Sequence, residues 1–227
     1  MSSTPLVDVH AHFLTDEYVA AAIAAGIEHP DGMPQWPCWS AEQHLSLMQD
    51  NAIRHAILSL SSPGVSFAGA ADAPALARHV NDVAARTVAA HPERFSFFAS
   101  LPLPDVDAAI SEAIRATDIH GAAGVVLLSN NGGRYLGDES LAPLWECLTT
   151  DAQLQRMWFD TAGHPLPTQA GVLRDVVGSN RILYGSDYCW TPAFAVGQQI
   201  AALDSDPETD WRAVTSANAH EFLQCRA

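Results

Sequence analysis

Two histidines lie one residue apart near the start of the chain, at His10 and His12. The segment Leu6 to His12 has the apolar composition of a buried β-strand, in which alternate side chains point to the same face. The two imidazoles would therefore project together, and a pair of neutral imidazoles can bind one metal ion. The alternative is that both side chains fill a barrel interior or a turn. A metal site would need further ligands from elsewhere in the chain.

Asp187 is the natural carboxylate for such a site, because it ends a second apolar segment that begins at Arg181. A carboxylate there could bind metal, move a proton, or do both. The alternative is that Asp187 caps the helix that follows it. Two imidazoles and one carboxylate suit zinc, and also manganese or iron, and they leave a position open for water or substrate. The residues alone therefore indicate a divalent metal site, for which we expect zinc first and manganese as the alternative.

Two further residues could bind a substrate. Arg134 follows Asn130-Asn131-Gly132-Gly133, which predicts a flexible loop, and its guanidinium could hold a carboxylate with two hydrogen bonds. An ordinary surface arginine is the alternative. His164 follows another predicted strand, although His164-Pro165-Leu166-Pro167 could equally form a rigid turn. Aromatic side chains could line a pocket or pack in the core in the segment that contains His29, Trp36 and Trp39.

Short apolar segments alternate with helical patterns along the chain and must position these residues. The predicted strands are Leu6 to His12, Ala52 to Leu60, Phe95 to Leu101, Ala122 to Leu128, Met157 to Thr161 and Arg181 to Asp187. The predicted helices are Thr15 to Ala25, Ser40 to Asn51, Asp72 to His91, Asp105 or Asp107 to Asp118, Leu141 to Leu148, Thr168 to Val177, and two or three between Pro192 and Leu223. This alternation predicts an α/β fold with a parallel sheet, open or closed into a barrel.

The carboxyl ends of parallel strands form the ligand-binding edge of such folds. His10, His12, Arg134, His164 and Asp187 all follow or end predicted strands. His55 and His120 instead precede or begin strands, so we exclude both from the site.

Composition limits the classes of partner. The 227 residues carry a net charge of −15, which argues against nucleic-acid and anionic-membrane partners because both need basic patches. The sequence shows no signal peptide and no apolar segment of membrane-spanning length. The four cysteines form no metal-binding spacing, which favours a reduced, cytoplasmic location; they are Cys38, Cys147, Cys189 and Cys225.

The chain resembles the amidohydrolase-related family, and within it the aminocarboxymuconate-semialdehyde decarboxylase branch. The resemblance is strongest to 6-methylsalicylate decarboxylase-like members. The matching segments are Val7 to Leu14, Ala56 to Val65, Arg94 to Pro104, Gly124 to Leu128, Gly133 to Asp138, Ile182 to Trp190 and Asn218-Ala219.

This resemblance implies a metal-dependent (β/α) TIM barrel that removes CO₂ from a small carboxylic acid. It implies that His10, His12 and Asp187 bind the metal, that Asp187 also helps to protonate the substrate carbon, and that a homodimer forms. Family members have a further metal-binding histidine after strand five and an acid/base histidine after strand six, and this chain has neither. Residues 129–156 are too few for the two missing βα units, since each takes about 30 residues. Either a loss during evolution or an error in the gene annotation would produce this gap.

The resemblance therefore leads to one domain over residues 1–227, incomplete between about 149 and 156. The expected function is non-oxidative decarboxylation of a hydroxybenzoate-type acid such as 6-methylsalicylate. One alternative is a metal-dependent hydrolase of a lactone or amide, and another is a non-catalytic, truncated relative. Because one ligand is missing, we expect weak, sub-stoichiometric binding of zinc or manganese.

Overall fold

The computed structural model of the chain describes residues 4–128, 130–136, 138–148, 158–162, 174, 178–206 and 209–224. Four parallel strands form a sheet in chain order: β1 (Leu6–His12), β2 (Ile53–Ser59), β3 (Phe95–Ser100) and β4 (Gly124–Val126). A hairpin follows β4 and consists of β5 (Asn130–Asn131) and β6 (Arg134–Tyr135). The last strands, β7 (Phe159–Asp160) and β8 (Ile182–Leu183), pair in parallel with each other.

One parallel bridge joins the two parts of the sheet. Tyr184, directly after β8, pairs with Asp8 of β1, and the Val9 amide donates to the Tyr184 carbonyl at 2.9 Å. The described strands therefore run β7-β8-β1-β2-β3-β4, and they form the curled, partial barrel that the sequence predicts. Neither β4 nor β7 pairs on its outer side with another described strand.

Helices pack against this sheet. They are α1 (Asp16–Ala24), α2 (Ala41–Asp50), α3 (Gly69–Ala90), α4 (Val106–Ile114), α5 (Ala142–Leu148), α6 (Ala193–Asp204) and α7 (Trp211–Gln224). The predicted N-caps of α1, α2 and α4 are confirmed, because Thr15, Ser40 and Asp105 each accept a backbone amide hydrogen bond. Among the described residues, no helix combines the length and the apolar character needed to cross a bilayer.

Several predicted boundaries were wrong. Helix α3 begins at Gly69, because the 3₁₀ turn Ser66–Ala68 runs directly into it and leaves Asp72 inside the first turns. The predicted loop around Arg134 is a tight hairpin, since Gly132 and Gly133 both adopt positive φ at its turn. The two helices described after Pro192 agree with the prediction of two or three. The predicted helix Thr168 to Val177 lies outside the described residues, apart from residue 174.

The core has two faces, and the residues of β1 divide between them around an irregularity in its pairing with β2 between Asp8 and Ala11. Leu6 and Ala11 join a large outer cluster with the helices, whereas Val7 and Val9 join an inner cluster with Ile57 and Leu183. The end of α7 completes this inner cluster. Its Phe222 ring lies 5.7 Å from the ring of Trp158 and 6.5 Å from that of Phe98.

Hydrogen bonds place α7 at the amino-terminal edge of the sheet. Asn218 donates to the carbonyls of Ser179 and Ile182 at 2.7 and 2.8 Å, and Ser216 donates to Pro5 at 2.9 Å. These carbonyls lie before or at the start of β8 and β1. The helix therefore covers one end of the partial barrel and leaves the carboxyl ends of the strands for the candidate site.

Candidate metal centre

Three predicted ligands meet at the carboxyl ends of β1 and β8. The Nε2 atom of His12 lies 3.2 Å from Asp187 Oδ1, and Nε2 of His10 lies 3.9 Å from the same oxygen. One ligand atom from each of the three residues lies within 4.8 Å of the other two. Ligand atoms around a tetrahedral Zn²⁺ are about 3.4 Å apart, given bond lengths of about 2.0–2.1 Å. The two measured separations bracket that value.

His12 is oriented by the neighbouring strand. Its Nδ1 lies 3.2 Å from the carbonyl oxygen of Ser59, at the end of β2, and 3.1 Å from the Ser59 hydroxyl. A carbonyl can only accept, so Nδ1 carries a proton, and Nε2 of the neutral ring has a free lone pair. This lone pair faces the Asp187 carboxylate. Two acceptors at 3.2 Å need a proton or a metal cation between them, and this donor set fits a metal ion.

His10 is oriented by a residue that the sequence did not reveal. Its Nδ1 lies 3.0 Å from Oδ2 of Asp160, the last residue of β7. The carboxylate accepts the Nδ1 proton, so Nε2 of this ring is also directed at the site as an acceptor. The second carboxylate oxygen of Asp160 accepts the Ala162 amide at 2.8 Å. An imidazole that binds metal through one nitrogen and a carboxylate through the other is a recurring arrangement in metalloproteins.

Asp187 is held in an unusual backbone conformation. Its φ is +59°, a region that aspartate tolerates better than most residues, and its amide donates to the His10 carbonyl at 2.8 Å. The Thr191 hydroxyl donates to Asp187 Oδ2 at 3.4 Å, which leaves Oδ1 for the histidines. The helix-capping alternative is wrong, because α6 begins at Ala193 with Pro192 as its N-cap.

Asp8 is a fully buried carboxylate behind the ligands. Its Oδ1 accepts the amides of His10 at 3.2 Å and Ser186 at 3.0 Å, where the pairing of β1 with β2 is irregular. It thereby ties the strand of the histidines to the segment that carries Asp187. Burial raises the pKa of Asp8 to about 7, although these hydrogen bonds oppose the shift.

The charges of the carboxylates shape the protonation of the site. Burial alone would lower the pKa of His10, but the hydrogen bond and charge of Asp160, with the charges of Asp187 and Asp8, raise it above its ordinary value. Burial raises the pKa of Asp160, but the hydrogen bond and charge of His10 outweigh burial and lower it overall. The raised pKa of His10 favours its protonated imidazolium form, and the lowered pKa of Asp160 favours its carboxylate form.

The other predicted site residues have different outcomes. Arg134 lies in β6, at the carboxyl end of the sheet, where it is exposed and donates to the Ser140 hydroxyl at 3.1 Å. Its role with a substrate stays a prediction. His164 lies outside the described residues. Trp36 is buried against Tyr18 and Trp190, and Trp39 packs against Phe13, as the core-packing alternative expects.

The two excluded histidines bond to groups outside the site. His55 Nε2 lies 2.7 Å from the Ser96 hydroxyl, and His120 Nε2 lies 3.4 Å from Asp82. Neither joins the group formed by His10, His12 and Asp187.

Comparison with known proteins agrees with this fold. A profile described as amidohydrolase matches residues 7–150. The chain is 45% identical over 146 residues to the decarboxylase yanB of Aspergillus niger, which covers 62% of this chain and 39% of that protein. It is 36% identical over 168 residues to the 6-methylsalicylic acid decarboxylase acuB of Aspergillus aculeatus, with coverage of 71% and 49%. The chain thus spans half or less of the length of these two relatives.

Solved structures share the fold. The crystal structure of an amidohydrolase II superposes with a TM-score of 0.89 at 24% identity, covering 96% of this chain and 99% of the other. A dihydroxybenzoic acid decarboxylase from Polaromonas, solved with manganese and the inhibitor 2-nitroresorcinol, gives a TM-score of 0.79 at 18% identity, with coverage of 99% and 98%.

The fold and the site define a partial (β/α) barrel with a group of two histidines and one aspartate at the carboxyl ends of its strands. The chain belongs to the amidohydrolase family, whose profile matches more than half of its residues.

Sequence reasoning missed the residues that orient the ligands. Asp160 ends a short apolar segment, which is the same signal that identified Asp187, but its partner His10 is 150 positions away in the chain. Ser59 acts through its backbone carbonyl, a group that every residue type has, so the sequence could not identify it. Thr191 shows no functional signal in the sequence, because only the turn after Asp187 places its hydroxyl next to the carboxylate.

Proposed function

We propose that this chain belongs to a metal-dependent, non-oxidative decarboxylase of a small aromatic acid of the hydroxybenzoate type, such as 6-methylsalicylate. The observation that carries the proposal is the convergence of His10, His12 and Asp187, each with its second polar atom already hydrogen bonded. The relatives support it, since both of those compared above are named decarboxylases and one is named for 6-methylsalicylic acid.

The three ligands would hold the cation through His10 Nε2, His12 Nε2 and Asp187 Oδ1. A bound divalent cation supplies a positive charge that draws electrons from an oxygen of the acid. Zinc is the cation that we propose on ligand type, and manganese is the alternative because the Polaromonas decarboxylase contains it. Arg134 and His164 remain proposed contacts of the substrate.

Loss of CO₂ from an aromatic acid leaves an electron pair on the ring carbon, and a proton must replace the carboxyl group there. Asp187 is the proposed carrier of that proton. One of its oxygens faces the histidines and the other accepts from Thr191, so the carboxyl group is held at the site in one orientation. Its side chain is about one-third exposed, which leaves it accessible to a small acid.

A second candidate is a non-catalytic relative that keeps only the metal site. The observation that favours it is the size of the group, since the described residues place no fourth histidine, cysteine or carboxylate among these ligands. Fewer protein ligands weaken binding of the cation. This candidate and the decarboxylase make opposite predictions for turnover.

Release of CO₂ from 6-methylsalicylate and from 2,6-dihydroxybenzoate tests the proposal, with purified protein and added Zn²⁺ or Mn²⁺. We expect metal-dependent formation of the phenol that lacks the carboxyl group, at a rate far below that of a full-length relative. His12→Ala should reduce the rate by at least about 100-fold, because it removes a ligand. His55→Ala, a histidine at the opposite edge, is the matched control and should leave the rate unchanged.

Two results would contradict the decarboxylase. Metal binding without any CO₂ release from either acid would favour the non-catalytic relative. Ring opening of a lactone or cleavage of an amide, with no CO₂ formed from the acids, would favour a hydrolase of the same family.

A further inference from the structure

Asp160 and His10 belong to strands that are not neighbours. Strand β8 lies between β7, which carries Asp160, and β1, which carries His10. A side chain on β7 would ordinarily meet a side chain of β8 before it reached β1. Yet Asp160 Oδ2 lies only 3.0 Å from His10 Nδ1.

Gly185 makes this contact across a strand possible. A Cβ atom on Gly185 would lie 2.7 Å from His10 Cβ and 2.8 Å from Asp160 Oδ1. Both distances are shorter than real Cβ contacts allow, so any side chain at this position would separate the pair. Because residue 185 has no side chain, the Asp160 carboxylate can reach the imidazole of His10.

The carboxylate of Asp160 is itself fixed. Its Oδ1 accepts the Ala162 amide at 2.8 Å, and the next residue, Thr161, donates its amide to Leu183 at 3.1 Å. The Thr161 hydroxyl also accepts the Gly185 amide at 3.3 Å. Pairing of β7 with β8 thus sets the place of the carboxylate independently of His10.

We propose that Asp160 is a positioning residue of the metal centre, which fixes the ring of His10 in the Nδ1-protonated tautomer with Nε2 directed at the cation. This inference rests on the metal site of the proposed function, although not on the decarboxylation itself. Partners of this kind typically change metal affinity by 10- to 100-fold.

The two histidines differ in this respect. The ring of His12 is held by the Ser59 carbonyl as well as by the Ser59 hydroxyl, and the carbonyl survives any substitution. The ring of His10, which is about one-third exposed, has the Asp160 carboxylate on its Nδ1. Loss of Asp160 should therefore affect the site much more than loss of the Ser59 hydroxyl.

Titration with Mn²⁺ followed by electron paramagnetic resonance tests this asymmetry without any measurement of activity. A high salt concentration should be used, so that exposed acidic side chains are screened. We expect Asp160→Ala to weaken Mn²⁺ binding by 10- to 100-fold, with Asp160→Asn intermediate. Ser59→Ala should change it by less than about threefold. Asp118→Asn removes one exposed charge at the amino-terminal edge of the sheet and is the control for net charge.

Nitrogen-15 NMR of the metal-free protein separates positioning from simple structural support. At an alkaline pH, where the His10 ring is neutral, the wild-type spectrum should show it as the Nδ1–H tautomer, and Asp160→Ala should convert it to a mixture while the His12 signals stay unchanged. A purely structural residue would lower the unfolding temperature without this change of tautomer.

Wild-type Mn²⁺ affinity in Asp160→Ala, an unchanged His10 tautomer, or no Mn²⁺ binding by the wild-type protein would each overturn the proposal. If Asp160→Ala weakens Mn²⁺ binding as expected while no acid releases CO₂, the positioning role holds and only the decarboxylase function fails.

Discussion

The ligands of the candidate site are defined as much by their second hydrogen bonds as by their own positions. His12 donates to Ser59, His10 to Asp160, and Asp187 accepts from Thr191. Each of these bonds leaves one acceptor atom directed toward the same point. Residue type and spacing could predict the three ligands, because strand alternation brings His10 and His12 to one face. They could not predict the partners, which depend on how distant segments meet.

His44 is a buried histidine next to this region whose surroundings oppose a charge. It accepts from Trp39 Nε1 at 3.1 Å through Nδ1, and its Nε2 has no hydrogen-bond partner among the described residues. Burial, with the charges of Arg94 and His12, lowers its pKa from 6.5 to about 3. The folded protein therefore keeps His44 neutral at pH values where the unfolded chain protonates it.

This difference predicts a loss of stability in acid. As the pH falls below 6.5, the unfolded chain gains a proton that the folded protein excludes until about pH 3. His44 should thus cost about 2 kcal/mol of the free energy of unfolding at pH 5, relative to pH 8. His44→Asn keeps an acceptor for Trp39 and removes the titration. Urea unfolding at pH 5 and pH 8 measures the free energy of unfolding of the wild-type protein and of His44→Asn. If both lose the same stability between pH 8 and pH 5, His44 is not the cause of the loss.

At the scale of elements, the approximate places of the strands and three helix caps could be read from the sequence. Strand β1 has the predicted boundaries, and Thr15, Ser40 and Asp105 cap helices as their residue types indicate. The short strand β7 was also predicted in its approximate place. The side-by-side order of β7, β8 and β1 depends on tertiary contacts, so the meeting of Asp160 with His10 was outside the reach of local patterns.

A substitution at Gly185 tests whether the close packing of β7, β8 and β1 around the site is needed for stability. Gly185→Ala should lower the free energy of unfolding by about 1–3 kcal/mol, because the new methyl group must displace β1 or β7. Gly197→Ala is a matched control in α6, where a Cβ would lie 3.4 Å from Asn51 Oδ1 and the helix gains up to about 1 kcal/mol from alanine.

Urea unfolding of the two glycine variants measures these changes in the free energy of unfolding. The packing argument requires Gly185→Ala to be clearly less stable than both the wild-type protein and Gly197→Ala. Equal stabilities of the two variants would mean that the close approach of β7, β8 and β1 is not needed.

At the scale of the whole molecule, the partial barrel keeps the edge that carries the ligands. The described strands β7-β8-β1-β2-β3-β4 carry His10, His12 and Asp160, Asp187 follows β8, and α7 covers the opposite end. The two βα units that the family resemblance implies between β4 and β7 would have supplied further histidines. Among the described residues, the site therefore has only three ligands, His10, His12 and Asp187, at the carboxyl ends of the strands.

The net charge of −15 affects any test of this site, because exposed carboxylates bind divalent cations weakly at many places. A bulk ratio of metal to protein mixes these ions with the one at the candidate centre. The location of the cation is therefore more informative than its amount.

Anomalous diffraction from crystals of the protein grown with Zn²⁺ tests the central claim most directly. The account predicts one dominant peak at about 2.0–2.2 Å from His10 Nε2, His12 Nε2 and an Asp187 oxygen, and no peak there in His12→Ala. Ordered zinc elsewhere, with nothing between these three residues in the wild-type protein, would contradict it.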